Sequence, residues 1–199
     1  QINPHFLYNT LDSIIWMAEG RKYEEVVLMT ASLARLLRQS ISNEDEVVPL
    51  AREVEYAKGY LTIQKMRYKD KLEFEIDVEP SILNIPLIKL VLQPIIENAI
   101  YHGLKYKESK GLLQVKGFMK DGNAVLQVID NGVGMDEETL SHIYDKHKVN
   151  YHSNGVGVYN VQKRLKLYYG ENYGITYESE KGVGTTATIT IPGIQEESI

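Results

Sequence analysis

Asp130-Asn131-Gly132-Val133-Gly134-Met135 ends an alternating apolar stretch, Ala124 to Asp130, and the fold of the chain's second half depends on how these residues are read. A carboxylate at a strand end, followed by two glycines, holds a hydrogen-bond acceptor toward a base edge while the backbone lies close against a ligand. The same six residues also suit a plain glycine turn closed by an Asx bond, and a motif this short leaves both readings open. Upstream, Leu112 to Met119 and Ala124 to Asp130 flank Asp121-Gly122, which predicts a hairpin. Downstream, Gly155-Val156-Gly157-Val158-Tyr159-Asn160 opens a helix running to about Tyr169. Glycines there expose unpaired N–H groups and the positive end of the helix dipole, a ready phosphate site. A dinucleotide-binding fingerprint does not fit, because it needs a buried strand in front and Tyr144 to Asn154 is polar. A second hairpin, Gly174 to Ser179 and Thr185 to Pro192 across Lys181-Gly182, closes the chain.

Leu72 to Val78 alternates as a strand, and Pro86 to Tyr106 reads as one helix, apolar almost all round and therefore buried, with a kink at Pro94. Asn98, His102 and Lys105 follow at spacings of four and three, so an amide, an imidazole and an ammonium share one face of it. Buried polar groups need partners. For Glu97, bridging neighbouring backbone and a functional role are equally open. An amide oxygen beside phosphates suits Mg²⁺, which keeps several waters and uses few protein ligands.

From Gln1 to about Tyr68 the texture is helical, and the composition shifts near Tyr68 to Lys71. This predicts a helical region over residues 1–69 and a separate unit over residues 70–199. In the first helix Leu7, Leu11, Ile14, Ile15 and Ala18 form a stripe that wants a partner, with His5, Asn9, Asp12 and Trp16 on the opposite face. A second helix, about Glu24 to Ile41, repeats Val26, Met29, Leu33 and Leu36; a third, about Leu50 to Arg67, carries the narrower stripe Val54, Ala57 and Leu61. Helices followed by a mostly antiparallel sheet make an α+β chain.

The composition narrows the function classes. Of 199 residues 43% are hydrophobic, enough for a core of ordinary size. The 22 Lys and Arg against 27 Asp and Glu leave a net charge of −5 without a basic block, which argues against nucleic acid. Cysteine is absent, so sulfur-ligated metals and thiolate nucleophiles are excluded. The longest apolar run, Ile85 to Ile96, is interrupted and falls short of the about 20 residues a membrane span needs. The first residue is Gln1, so a piece of a longer protein is expected, with any membrane anchor or sensor upstream.

Taken in chain order, Glu97-Asn98, Asp130-x-Gly-x-Gly, Gly155-x-Gly157 and Gly184-Thr185-Thr186 resemble the four boxes of the Bergerat ATP-binding fold shared by histidine kinases, type II topoisomerases, Hsp90 and MutL. Gln1-Ile2-Asn3-Pro4-His5-Phe6-Leu7-Tyr8-Asn9-Thr10-Leu11 looks like the phosphoacceptor box of LytS/YesM-type sensor histidine kinases, and Leu92 to Gly103 like that family's N box. Tyr60 to Tyr68 also matches its habit. The resemblance implies a helical dimerisation and phosphoacceptor region followed by a Bergerat-type α/β sandwich. It implies that ATP phosphorylates His5 and that the phosphoryl group passes to an aspartate of a response regulator. An imidazole is mostly neutral at pH 7 and attacks with a free nitrogen lone pair.

By the same resemblance Asp130 takes the adenine amino group with help from Thr186, and Asn98 binds Mg²⁺. His102 and Lys105 join the cofactor set from the face they share with Asn98. Gly132 and Gly134 shape the pocket, while Gly155 and Gly157 receive phosphates. Residues from about Asp136 to Asn154 form a lid in which Lys146, His147 or Lys148 reaches a phosphate. Two positions depart from the commoner histidine-kinase pattern. Pro94, with Gln93 beside it, stands where a second asparagine is common, and Phe6 stands where an acidic residue follows the histidine. The base therefore falls to Glu97 or, second, Asp12, and Asn9 becomes a candidate to orient a water that dephosphorylates the regulator. Also implied are a homodimer through a four-helix bundle, weakened here because only four residues precede His5, and a place on the cytoplasmic side of a bacterial plasma-membrane sensor.

Overall fold

Three helices, α1 (Pro4–Glu19), α2 (Tyr23–Ile41) and α3 (Leu50–Tyr68), lie in the N-terminal part of a computed structural model that describes residues 4–41, 46–143 and 155–193. In α2 the spacing predicts the buried line correctly, with Met29, Leu33 and Leu36 inside. The face that α3 buries is wider than its narrow stripe, because it packs on α2 on one side and on the sheet domain on the other. In α1 the expected stripe is turned. Phe6, Thr10 and Met17 are buried, whereas Leu11 and Ile15 are exposed. The Phe6 ring lies 4.8 Å from that of Tyr60, and Thr10 Oγ1 donates to the Phe6 carbonyl at 2.8 Å. The inward face thus centres on Phe6 and Thr10; Leu7 and Ile14 of the stripe still pack against the core at its edge, while Leu11 and Ile15 are left outward.

The sheet follows from period-two patterning. Strands β2 (Leu72–Val78), β4 (Gly111–Lys120), β5 (Asn123–Asp130), β6 (Gly174–Glu180) and β7 (Gly184–Pro192) stand in the order β2-β4-β5-β7-β6. Only β2 and β4 run parallel. The hairpin turn carries φ of 50° at Asp121 and 78° at Gly122, as a two-residue turn between twisted strands requires. Ala124, Leu126 and Val128 of β5 face inward with Ala187, Ile189 and Ile191 of β7, so the period also brings Asp130 to the inner face. The inner face packs against the helices, and one hydrophobic core extends from Phe6 of α1 to Ile191 of β7.

The expected long helix over Pro86 to Tyr106 is a different object. Pro86–Ile88 forms a strand, β3, paired antiparallel with β1 (Val47–Pro49), and α4 spans only Leu92–Asn98. It continues as a π-helical segment, Ala99–Leu104. Pro94 makes no kink, because it sits in the first turn, where its missing N–H costs no helical bond. Two further helices follow, the short α5 (Glu137–Ser141) and the longer α6 (Gly155–Tyr169).

Candidate active site

The inner face of the sheet and α4 enclose a cavity of about 580 Å³. Asn98, His102 and Gly103 come from α4 and the π segment, Asp130 from β5, Gly134 and Met135 from the loop after it, and Thr185 and Ala187 from β7. Glu138, Thr139 and His142 close one side from α5 and its end.

Asp130 is held by its own backbone. Its Oδ1 accepts the Gly132 N–H at 2.8 Å, and burial pushes its carboxyl up to about 6, against the pull of the Gly132 and Thr185 amides and of Lys107. At pH 7 the group is still ionised and accepts hydrogen bonds only. Gly103 is without a side chain for a steric reason, since a Cβ there would stand 2.7 Å from Asp130 Oδ1. A Cβ on Gly134, at φ +63°, would overlap the Glu180 carbonyl. The loop is pinned on both sides, with Val133 N–H donating to Gly103 at 3.1 Å and Met135 N–H to Ser179 Oγ at 2.9 Å. Asn131 faces away and bonds the Leu112 amide through Oδ1 at 2.8 Å.

On the opposite wall Asn98 Oδ1 is buried and, among the described residues, lacks a hydrogen-bond partner. An unpartnered buried amide oxygen has a cost that a ligand or a hydrated cation removes. The described residues contain no group of three acidic or histidine side chains able to hold a metal, so a cation here would have Asn98 as its protein ligand and phosphates and water for the rest. His102 lines the same wall, and desolvation together with the Lys105 charge lowers its pKa, leaving it neutral at pH 7. Lys105 is not brought in. The wide π turn, in which Lys105 N–H reaches back five residues to Ile100 at 2.9 Å, rotates it outward, and its ammonium lies 5.7 Å from the Tyr106 ring.

The remaining expectations for this domain sort by position. Thr186, expected beside Asp130, instead pairs with Ile129 on the outer face: odd-numbered residues of β7 face inward, and Thr185 pairs with Asp130 and lines the cavity. Thr185 Oγ1 lies 2.8 Å from Ser179 Oγ. Glu97 is buried, accepts from Gln93 Nε2 at 2.9 Å, and is held above the usual carboxylate range by burial. It does not line the cavity; its charge acts instead on the buried Tyr60 hydroxyl. Gly155 and Gly157 begin α6, where a Cβ on Gly157 would come 3.3 Å from Pro94 Cβ. Asp136 caps α5 by accepting the Thr139 N–H at 2.9 Å, while Lys146, His147 and Lys148 lie outside the described residues.

His5 and Asn9 sit apart from the cavity, exposed and half-buried on α1. Asn9 Nδ2 lies 3.0 Å from His5 Nδ1.

Comparison with known proteins decides the family. A model described as "Histidine kinase" matches residues 1–72, and one described as "Histidine kinase-, DNA gyrase B-, and HSP90-like ATPase" matches residues 84–195. The chain belongs to the histidine kinases. It is 36% identical over 192 residues to sensor histidine kinase YesM of Bacillus subtilis, covering 96% of this chain and 32% of that protein. To sensor protein LytS of Oceanobacillus iheyensis it is 33% identical over 177 residues, covering 86% of this chain and 30% of that protein. The chain thus spans about a third of the length of these relatives. In fold it resembles the histidine kinase domain of the Erythrobacter litoralis EL346 blue-light activated histidine kinase, with a TM-score of 0.55 at 13% identity over 96% of both chains. The catalytic domain of histidine kinase ThkA gives 0.56 at 16% identity, over 75% of this chain and 99% of that one. The fold is that of Bergerat-type histidine kinase catalytic domains.

Sequence reasoning missed Thr185 and Gly103 as site residues. The alternation Ala187, Ile189, Ile191 was sufficient to place Thr185 on the inner face. No sequence pattern announces that Gly103 must lie against Asp130.

Proposed function

We propose that the cavity binds ATP and that His5 is the phosphoacceptor, with residues 1–69 presenting the histidine and residues 70–199 binding the nucleotide. The observation that carries this is the cavity's pair of opposite walls: an ionised, buried Asp130 on one and the unpartnered Asn98 Oδ1 on the other. Asp130 accepts the adenine amino group, Thr185 stands beside it, and His102 offers a neutral ring at the rim. Gly132 and Gly134 let the backbone lie against the base, and the α6 end at Gly155 and Gly157 receives phosphate oxygens. Mg²⁺ held through Asn98 would neutralise phosphate charge there.

The transfer balances simply. A nitrogen lone pair of His5 attacks the γ-phosphorus, a P–N bond forms as the bond to the bridging oxygen breaks, and ADP leaves. The ring proton passes to a base. Glu97, next to Asn98 on α4, and Asp12, on α1 with His5, are the two candidates for that base. Attack by an aspartate oxygen of a response regulator then breaks the P–N bond. Positioning and charge neutralisation supply most of the acceleration in such reactions. Asn9, against the His5 ring, is proposed to orient the water that dephosphorylates the regulator; unchanged phosphatase activity in Asn9→Ala rejects that role.

The outward residues Tyr8, Leu11, Ile15 and Val27 support a homodimer through α1 and α2. No helix of the described residues is long and apolar enough to cross a membrane. The relatives' names describe sensors, which supports reading the chain as the cytoplasmic portion of a membrane sensor. The deciding experiment offers γ-labelled ATP to the wild type and to His5→Gln. An acid-labile, base-stable label on the wild type alone supports the proposal, whereas nucleotide binding without label reduces the chain to a binding module.

A further inference from the structure

Glu53 belongs to α3, yet it is buried and reaches a segment 37 to 39 residues away. Its Oε1 accepts the Leu90 N–H at 2.8 Å, and its Oε2 accepts those of Val91 and Leu92 at 2.9 and 3.0 Å. Three donors aimed at one carboxylate compensate a burial that otherwise pushes its pKa up. Leu90 carries φ +63°, a left-handed backbone that a branched side chain rarely adopts and that persists only where its surroundings enforce it. The residue before it is gripped as well. Lys89 N–H donates to the Glu46 carbonyl and Arg164 Nη2 to the Lys89 carbonyl, each at 2.9 Å. Arg164 stands on α6, and its charge favours the ionised Glu53.

This turn is where α4 starts. The helix has no side-chain cap of its own, so its first amides are satisfied from α3. Six residues on, α4 presents Asn98 to the cavity, and its π continuation lays Gly103 against Asp130. A serine or aspartate at the helix start would satisfy the amides equally well but would connect nothing else. The remote carboxylate joins three helices at one point: α3, which also carries Tyr60 under Phe6 of α1, α4, and α6.

We propose that Glu53 and Arg164 are positioning residues of the nucleotide site, fixing the start of α4 and through it the place of Asn98. The nucleotide part of this rests on reading the cavity as an ATP site. A displacement of α3 relative to the sheet reaches Asn98 through this carboxylate, so the joint couples the helix that supports the phosphoacceptor to the pocket that binds ATP.

The test compares wild type, Glu53→Gln and Arg164→Met in two measurements. In calorimetry with the Mg²⁺ complex of a non-hydrolysable ATP analogue, Glu53→Gln raises Kd about tenfold and Arg164→Met about threefold, at unchanged stoichiometry. In labelling assays KM for ATP rises with Kd while kcat at saturating ATP stays within about twofold. Simple destabilisation lowers the active fraction instead, and so stoichiometry and kcat, leaving Kd and KM alone. In hydrogen exchange of the ligand-free protein, Glu53→Gln speeds exchange across residues 92–104. A Kd within twofold of wild type, or faster exchange confined to residues 90–92, overturns the proposal. If Glu53→Gln does not fold, Arg164→Met and Glu53→Asp carry the same measurements. A wild type without affinity for the analogue overturns the ATP reading by itself, and the exchange pattern across residues 92–104 then still decides whether Glu53 positions α4.

Discussion

The cavity proposed to bind ATP and the N-terminal turn of α1 are built on opposite terms. In the cavity Asp130 is 6% exposed, bonded to the Gly132 amide and flanked by a glycine whose Cβ would collide with it, so its carboxylate has one available position. His5 is exposed and touches Asn9 of its own helix. A rigid, desolvated site suits a ligand that must be recognised by a few hydrogen bonds, because a dry surrounding strengthens each of them. A phosphoacceptor must instead reach that ligand and later a partner, which an immobile buried ring does not permit. On the proposed function, recognition is thus preorganised in the packed half, and transfer is left to a group that can be approached.

The largest effect that separates the two regions is expected at His5. In His5→Gln, acid-labile phosphorylation falls to background while the dissociation constant of an ATP analogue stays within about twofold, because no cavity contact changes. A parallel loss of binding, read by calorimetry, breaks the division. Next comes Asp130→Asn, which replaces a charged acceptor by an amide that presents a donor to the Gly132 N–H. The analogue binds about 100-fold more weakly, from a lost charged hydrogen bond plus one unsatisfied group. Full labelling by this variant at unchanged KM sinks the adenine assignment.

Third is the pH profile. Adenine recognition needs the ionised carboxylate, and burial has raised the Asp130 pKa to about 6. Affinity is therefore flat above about pH 7 and falls about tenfold per unit as pH drops below 6, while the profile of Asp130→Asn stays flat over that window. The sign for the empty fold is opposite. Between about 4 and 6 the folded state holds a proton that the unfolded chain has lost, so this group's contribution to stability declines as pH rises through that range. Melting temperatures of ligand-free wild type and Asp130→Asn across pH 4 to 7 read it directly. The smallest effect distinguishes neighbours on β7: Thr185→Val weakens analogue binding about threefold, and Thr186→Val does so less than that. Equal effects reject the inner-face assignment of Thr185.

Much of this molecule was legible from residue order. The hairpin at Asp121-Gly122, the strand Leu72–Val78, the second hairpin and the buried line of α2 all rest on neighbours two, three or four positions apart. The errors share a cause. Pro86 to Ile88 looks helical by its surroundings but forms β3 because Val47 to Pro49 offers a partner about 40 residues back. Thr186 is a different case, since the resemblance points to it whereas strand alternation puts Thr185 on the inner face. On α1 the aliphatic stripe lost to Phe6, whose partner Tyr60 is on another helix.

The sequence by itself determined the three N-terminal helices, the two hairpins, the strand Leu72–Val78 and the motifs that point to the family, since each is a pattern over short stretches of chain. Only the tertiary structure decided which side of α1 turns inward, that Lys105 leaves the face shared by Asn98 and His102, and that Glu53 caps a helix 39 residues away. Such choices depend on desolvation and on donors meeting acceptors in space, and a buried carboxylate finds its partners wherever packing brings them.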